Sequence, residues 1–253
     1  MKTLTTIFVF LFSFTLTLHA QDFTVASGKT LTIAKSGSLT VGGAFSNSGT
    51  VTLNSDSNEF AVIIVQGTSS GNITYERHVA DEGSNEWDYI GSPVAGQDLQ
   101  TLIDNNSSLA TNGSQVAIGA FDNSAGDTAA LMYTNYSTTG NSGTTITSGQ
   151  GFAMATDDGS TTATVDFTGT LNTSNVTFAI DDESSSNSDN GKFNLVGNPF
   201  PTYIAFNAAA VSASGATEAF LTINATTNDN LHNSYAGLWG YDGDGTFTEK
   251  NAT

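Results

Sequence analysis

Residues 87–93 read Trp-Asp-Tyr-Ile-Gly-Ser-Pro, and residues 193–199 read Phe-Asn-Leu-Val-Gly-Asn-Pro. The two heptads align position by position: an aromatic, Asp or Asn, two apolar residues, Gly, Ser or Asn, and Pro. A ring, an apolar pair, a glycine and a proline are the needs of a buried strand and the turn that ends it, because proline has no N–H to give a ladder. A second pair, Gly119-Ala-Phe-Asp122 and Gly240-Tyr-Asp242, follows the heptads, Gly119 lying 26 residues after Pro93 and Gly240 41 residues after Pro199. The chain therefore reads as a duplicated β module. In the first copy the strand Gly149-Gln-Gly-Phe-Ala-Met154 comes after Phe121. Its counterpart would fall beyond Thr253, so the second copy is expected to be incomplete.

Upstream of the heptads lies a smaller repeat. Ser27-Gly-Lys-Thr-Leu-Thr-Ile33, Ser36-Gly-Ser-Leu-Thr-Val41 and Ser48-Gly-Thr-Val-Thr-Leu53 each join a Ser-Gly turn to an apolar-Thr-apolar strand. Alternation puts Leu, Val and Ile on one face and Thr on the other. One such strand cannot bury its face alone, so about three rungs of a β-solenoid, or a β-meander, are expected. Asn47 is placed to satisfy turn backbone at a corner. Glu59 to Gln66 reads as a fully buried strand and Gly71 to Val79 as another. Arg77, the only arginine, is expected to form an ion pair with Glu76, Asp81 or Glu82. Gln97 to Ile103 predicts a short helix with Leu99, Leu102 and Ile103 on one face. Strands are predicted over 116–121, 129–136, 149–154, 162–167 and 175–180. The polar run 181–190 reads as a boundary. Beyond it, a short helix is predicted over 207–213 and strands over 220–224 and 235–241.

The expected class is all-β: short solenoid-like or meander rungs, then duplicated antiparallel β-sandwich modules of jelly-roll type, the second unfinished. The expected divisions are a signal peptide over 1–20, a Gly/Ser/Thr-rich repeat region over 21–79, a first module over 80–190 and a second over 191–253. Lys2, an apolar run from Leu4 to Leu18 and Ala20 before the cut fit a secretory signal. The run is short for a membrane span, which needs about 20 apolar residues. Cysteine is absent, which excludes disulfides. The whole chain carries a net charge of −18, and loss of Lys2 with the signal leaves five basic residues against 24 acidic, or −19. Such a surface repels nucleic acid and anionic lipid and tolerates divalent cations.

Several of these segments resemble a recurrent module of secreted surface proteins of the Bacteroidetes, chiefly flavobacteria. They are Trp87-Asp-Tyr-Ile-Gly-Ser-Pro-Val94, Gly149-Gln-Gly-Phe152, Phe193-Asn-Leu-Val-Gly-Asn-Pro-Phe-Pro201 and Gly71-Asn-Ile-Thr-Tyr-Glu-Arg-His-Val79. The resemblance covers about residues 60–253. It implies a large, repetitive, adhesin-like extracellular protein of a group that uses the type IX secretion system, here without the C-terminal sorting domain. It carries no active site to transfer.

Trp87, Trp239 and Tyr241 are candidate sugar-stacking rings, with core packing as the competing role. Asp242, Asp244 and Glu249 are candidate Ca²⁺ ligands. The EF-hand pattern fails, however, because a loop starting at Asp242 has Gly at position 4 and Thr246 at position 5, and a hairpin turn explains the same residues. Asp157-Asp158 and Asp181-Asp182-Glu183 are looser acidic clusters. Asp127-Thr128-Ala129 resembles an O-glycosylation site of that bacterial group. His78 and His232 are the only histidines after the leader, and neither sits in a nucleophile elbow or a zinc-ligand spacing. The sequence therefore predicts a secreted, non-enzymatic module without catalytic residues or cofactor, calcium aside. Its expected role is structural or adhesive, with surface glycans or extracellular proteins as partners. The alternative is a carbohydrate-binding accessory module of a larger secreted protein.

Overall fold

A computed structural model describes residues 22–80, 87–126, 132–157, 163–186 and 191–204, and the backbone of 237–241 and 247–251. The chain begins as a three-faced coil. On the first face β1 (Phe23–Val25), β4 (Phe45–Asn47) and β7 (Ser69–Ser70) stack in parallel. On the second stand β2 (Thr30–Ile33), β5 (Thr50–Leu53) and β8 (Ile73–His78). The third holds β3 (Ser38–Val41) and β6 (Val62–Val65). Paired residues lie 20 to 24 positions apart, so one coil takes three short strands. Parallel pairing makes this a β-solenoid and rules out the meander, whose neighbouring strands run antiparallel.

The Ser-Gly units are thus faces of a coil, not whole rungs. Units 27–33 and 48–53 stack on one face, whereas 36–41 lies on another. Inward residues form ladders: Ile33 lies beside Leu53 and Leu53 beside Tyr75. The Phe23 and Phe45 rings stack at 6.2 Å. Asn47 closes a corner as expected: its Nδ2 donates to the Asn72 carbonyl at 2.5 Å, and its Oδ1 accepts from the Gly49 N–H at 2.9 Å. The strand expected to be fully buried over 59–66 is instead half-buried. Ile63 is 2% exposed and Ile64 42%, because a solenoid strand has one inner and one outer face.

Strand β8 belongs to both halves of the molecule. It pairs in parallel with β5 and antiparallel with β14 (Thr164–Gly169), giving a four-stranded sheet β14-β8-β5-β2. Facing it is a second, antiparallel sheet built from β9 (Asp88–Gly91), β10 (Thr111–Asn112), β11 (Gln115–Phe121), β12 (Tyr133–Ser137) and β13 (Gly151–Met154). Its order is β10-β11-β13-β9, with β12 also on β11. Ile90, Ile118, Phe152 and Met154 join Val165 and Phe167 in one buried cluster. The protein is therefore predominantly β and sandwich-like, with no closed barrel among the described residues.

Helix α1 (Leu99–Asn105) is capped by Asp98, whose carboxylate accepts from the Thr101 N–H at 2.8 Å. It buries Leu99 and Leu102, the face that their spacing predicts. The same stretch seals the free edge of β14. Asn106 donates to the Asp166 carbonyl at 3.2 Å and accepts from its N–H at 2.7 Å. Gln97 Oε1 accepts from the Thr168 N–H at 2.5 Å, and Ser108 donates to the Thr164 carbonyl at 3.0 Å. Three side chains thus replace the missing neighbour strand, one way proteins blunt a sheet edge.

The second heptad is not the buried strand its sequence predicts: residues 193–199 form no strand, and Phe193 and Val196 are half-exposed. It lies against the second sheet, at the entry to β13. Gln150 and Val196 form an antiparallel bridge, Gly151 N–H donates to the Leu195 carbonyl, and Gly197 N–H donates to the Gly149 carbonyl. The tail of the heptad then crosses to the solenoid, where the Pro201 carbonyl accepts from the Ile63 N–H at 3.0 Å. Asn172 Nδ2 donates to the Pro199 carbonyl at 2.8 Å. One expectation is corrected: residues 175–180 form no strand. Arg77 sits 4.2 Å over the Phe60 ring, and among the described residues it makes no ion pair with Glu76. Asp81 and Glu82 lie outside the described residues, as do 207–213 and 220–224.

Candidate functional site

Three segments singled out in the sequence converge on one cleft of about 220 Å³. Phe121 and Asp122 come from the end of β11, Gln150 and Gly151 from the entry to β13, and Asn194 and Leu195 from the second heptad. Phe178 and Asp181 complete the walls. Glycine at 149 and 151 makes this closure possible. A Cβ on Gly149, where φ is +87°, would lie 3.1 Å from Phe178 Cβ, and one on Gly151 would lie 2.5 Å from Leu195 Cγ. Phe178 and Leu195 can therefore lie directly on the strand entry.

The polar groups of the cleft divide into fixed and open ones. Asn194 is committed to Asp181: it accepts from the Asp181 N–H and donates to the Asp181 carbonyl. Asn123 donates to the carbonyls of Asp181 and Gly191 at 3.0 and 2.9 Å. Asp122 Oδ1 accepts from the Ser124 hydroxyl and N–H, which hold its pKa below the usual carboxylate value. Among the described residues, its Oδ2, the Gln150 side-chain amide and the Asp181 carboxylate have no hydrogen-bond partner. Among the described residues the lining holds no Lys, Arg or His, the side chains that pair with phosphate, sulfate or a carboxylate. A larger groove of about 590 Å³ lies between Ile64, Leu171 and Phe200. It is an apolar seam where the heptad tail meets the solenoid.

The outer face of the second sheet is floored by small residues and roofed by rings. Trp87 is half-buried against Ala110, Ala117 and Ala155. Tyr89 and Tyr133 reach across from outer strands and stack at 5.7 Å, and Phe121 lies 5.3 Å from Tyr133. Burial, and then the hydrogen bond with Tyr89, push the Tyr133 hydroxyl pKa up. On the other sheet Glu76 faces Asp166 directly across β8 and β14. Both carboxyls are raised, mainly by burial, and Glu76 also by the Asp166 charge. His78 is held by its Nδ1 contact with the Ala163 carbonyl at 2.9 Å.

Trp239 and Tyr241 stand on β15 (Gly237–Tyr241), which pairs antiparallel with β16 (Phe247–Asn251), and Glu249 is opposite Trp239. The side chains of these strands, and residues 242–246 with Asp242 and Asp244, lie outside the described residues, as do Thr128, Asp158 and His232. The structure therefore brings the two heptads together but does not join Trp87 to Trp239 or Tyr241. Among the described residues no group of three or more His, Asp or Glu can hold a metal ion. None of the described helices is long and apolar enough to cross a membrane. Phe178 and Asp181 were not singled out as cleft residues from sequence, since nothing local ties them to β13.

The architecture is that of an all-β protein in which a short parallel solenoid runs into a sandwich. A family model described as a domain of unknown function (DUF8693) matches residues 9–243, and the chain belongs to that family. No curated protein and no solved structure matches it.

Proposed function

We propose that the chain is a non-enzymatic structural and adhesive module of a secreted or cell-surface protein, a rigid β scaffold that displays loops. The observation that carries this reading is the shared sheet β14-β8-β5-β2, which leaves no linker between solenoid and sandwich. The tail of the second heptad adds a further tie through Pro201 and Ile63. The leader-like residues 1–20, the net charge of −18 and the likeness to flavobacterial surface proteins support export and a type IX route. Mass spectrometry of the culture medium and surface fraction of the native host tests it. A mature N-terminus at Gln21 on an exported chain is expected, and a cytosolic chain that keeps Met1 would overturn it.

A second reading, a carbohydrate-binding accessory module of a larger secreted protein, is favoured by the ring-walled cleft at Phe121 and Phe178. A glycan array run with and without EDTA tests it, and the EDTA arm reports on calcium at Asp242, Asp244 and Glu249.

A further inference from the structure

We infer that the cleft between Phe121, Phe178 and Gln150 binds a single neutral pyranose unit; this rests on the carbohydrate-binding reading. Two phenyl rings stand at the walls of a space of about 220 Å³, and both are half-exposed. An aromatic face takes the apolar C–H side of a sugar ring, and a few placed polar groups fix its orientation. Here those groups are the Gln150 amide, which both donates and accepts, and the acceptor oxygens of Asp122 and Asp181. Sugar hydroxyls donate to carboxylates and accept from an amide, so the set is matched. The carboxylates of Asp122 and Asp181, with no cationic side chain among the described lining residues, favour a neutral sugar over an acidic one. The polar partners that shape the cleft, Asn123 and Asn194, are already bonded to backbone, so the open groups sit in a fixed frame.

The test is an NMR titration of the ¹⁵N-labelled full chain with methyl glycosides of glucose, galactose, mannose and N-acetylglucosamine, with methylamine as a cation control. At least one glycoside is expected to shift the Gln150 side-chain amide and the Gly151 N–H. Gln150→Ala is expected to weaken that binding about tenfold, the loss set by one unmade hydrogen bond, and Phe178→Ala by at least as much. Lys29→Ala, on the exposed surface of the solenoid, is expected to leave it unchanged. Unaltered thermal unfolding of Gln150→Ala separates lost binding from lost folding. Binding that survives both cleft variants would overturn this site while leaving the carbohydrate reading intact. A blank titration together with a blank glycan array would overturn both. Shifts with methylamine alone would make the cleft a cation site and overturn the inference.

Discussion

Gly91 and Gly197, the equivalent glycines of the two heptads, pack backbone against backbone. A Cβ on Gly91 would lie 2.5 Å from the Cα of Gly197, and one on Gly197 would overlap the Cα of Gly91. Neither glycine has a positive φ, so sterics alone demand it. Gly91→Ala and Gly197→Ala are each expected to cost about 1–3 kcal/mol through overpacking. The double variant should cost less than the two together or more, but not their sum, because the residues touch. Denaturant unfolding of the four proteins in a double-mutant cycle checks this, and strict additivity would contradict the contact.

Asn106→Leu removes the side chain that stands in for a strand beside β14. It strips partners from the Asp166 N–H and carbonyl and from the Leu102 carbonyl. Each buried backbone group left unmade costs about 1–3 kcal/mol. Lower stability and faster hydrogen exchange at the Asp166 amide are expected, and unchanged exchange there would contradict the edge-sealing role.

The pairing of Glu76 with Asp166 makes stability depend on pH. Both carboxyls ionise less readily in the fold than in the unfolded chain. Their protonated forms therefore favour the fold, and that contribution is lost as pH rises through their raised folded-state values. Asp56, lowered to about 2 by its bond to Lys35, and Asp98 and Asp122, also lowered, act oppositely, with stability lost as pH falls below about 4. Wild-type melting temperature should rise as pH falls from neutrality toward the ordinary carboxylate range and drop below about 4. Asp166→Asn or Glu76→Gln should relieve a like-charge cross-strand pair, worth roughly 0.2–1 kcal/mol at neutral pH, and flatten the upper slope. Melting curves from pH 3 to 8 check both.

Phe45, 1% exposed and stacked on Phe23, is the test of the coil. Phe45→Ala is expected to cost about 3–5 kcal/mol, the loss for a buried ring. Circular dichroism with urea titration reads it, and a near-zero change would contradict a packed solenoid interior.

The strands themselves were legible because burial obeys local period. Leu31 and Ile33, or Val51 and Leu53, alternate with threonine, and Leu99 and Leu102 share a helix face. What sequence could not convey was which strands meet. The similar units at 27–33 and 36–41 lie on different faces, since stacking is set by corner lengths, not by likeness. Ile64 looks as apolar as Ile63 yet points outward. Gln97, Asn106 and Ser108 read as ordinary polar residues until β14, some 60 residues on, needs an edge. Of the cleft, Phe121, Gln150 and Asn194 lay in visible motifs. Asp181 lay in an acidic cluster with nothing to tie it to the cleft, and Phe178 lay in no motif, because only the fold carries its ring over Gly149. The repeated heptad was plain; that its second copy forms no strand and packs on the first was not.

That contact is the central claim and can be tested covalently. The chain has no cysteine, so an introduced pair reports alone. Gln150 and Val196 are directly opposed in an antiparallel bridge, where Cα atoms lie about 4.5–5.5 Å apart, within disulfide reach. The measurement is mild oxidation of Gln150→Cys/Val196→Cys at low protein concentration, followed by non-reducing electrophoresis and intact mass. The account predicts a near-complete intramolecular disulfide with native circular dichroism. Free thiols, or crosslinks only between molecules, would contradict it.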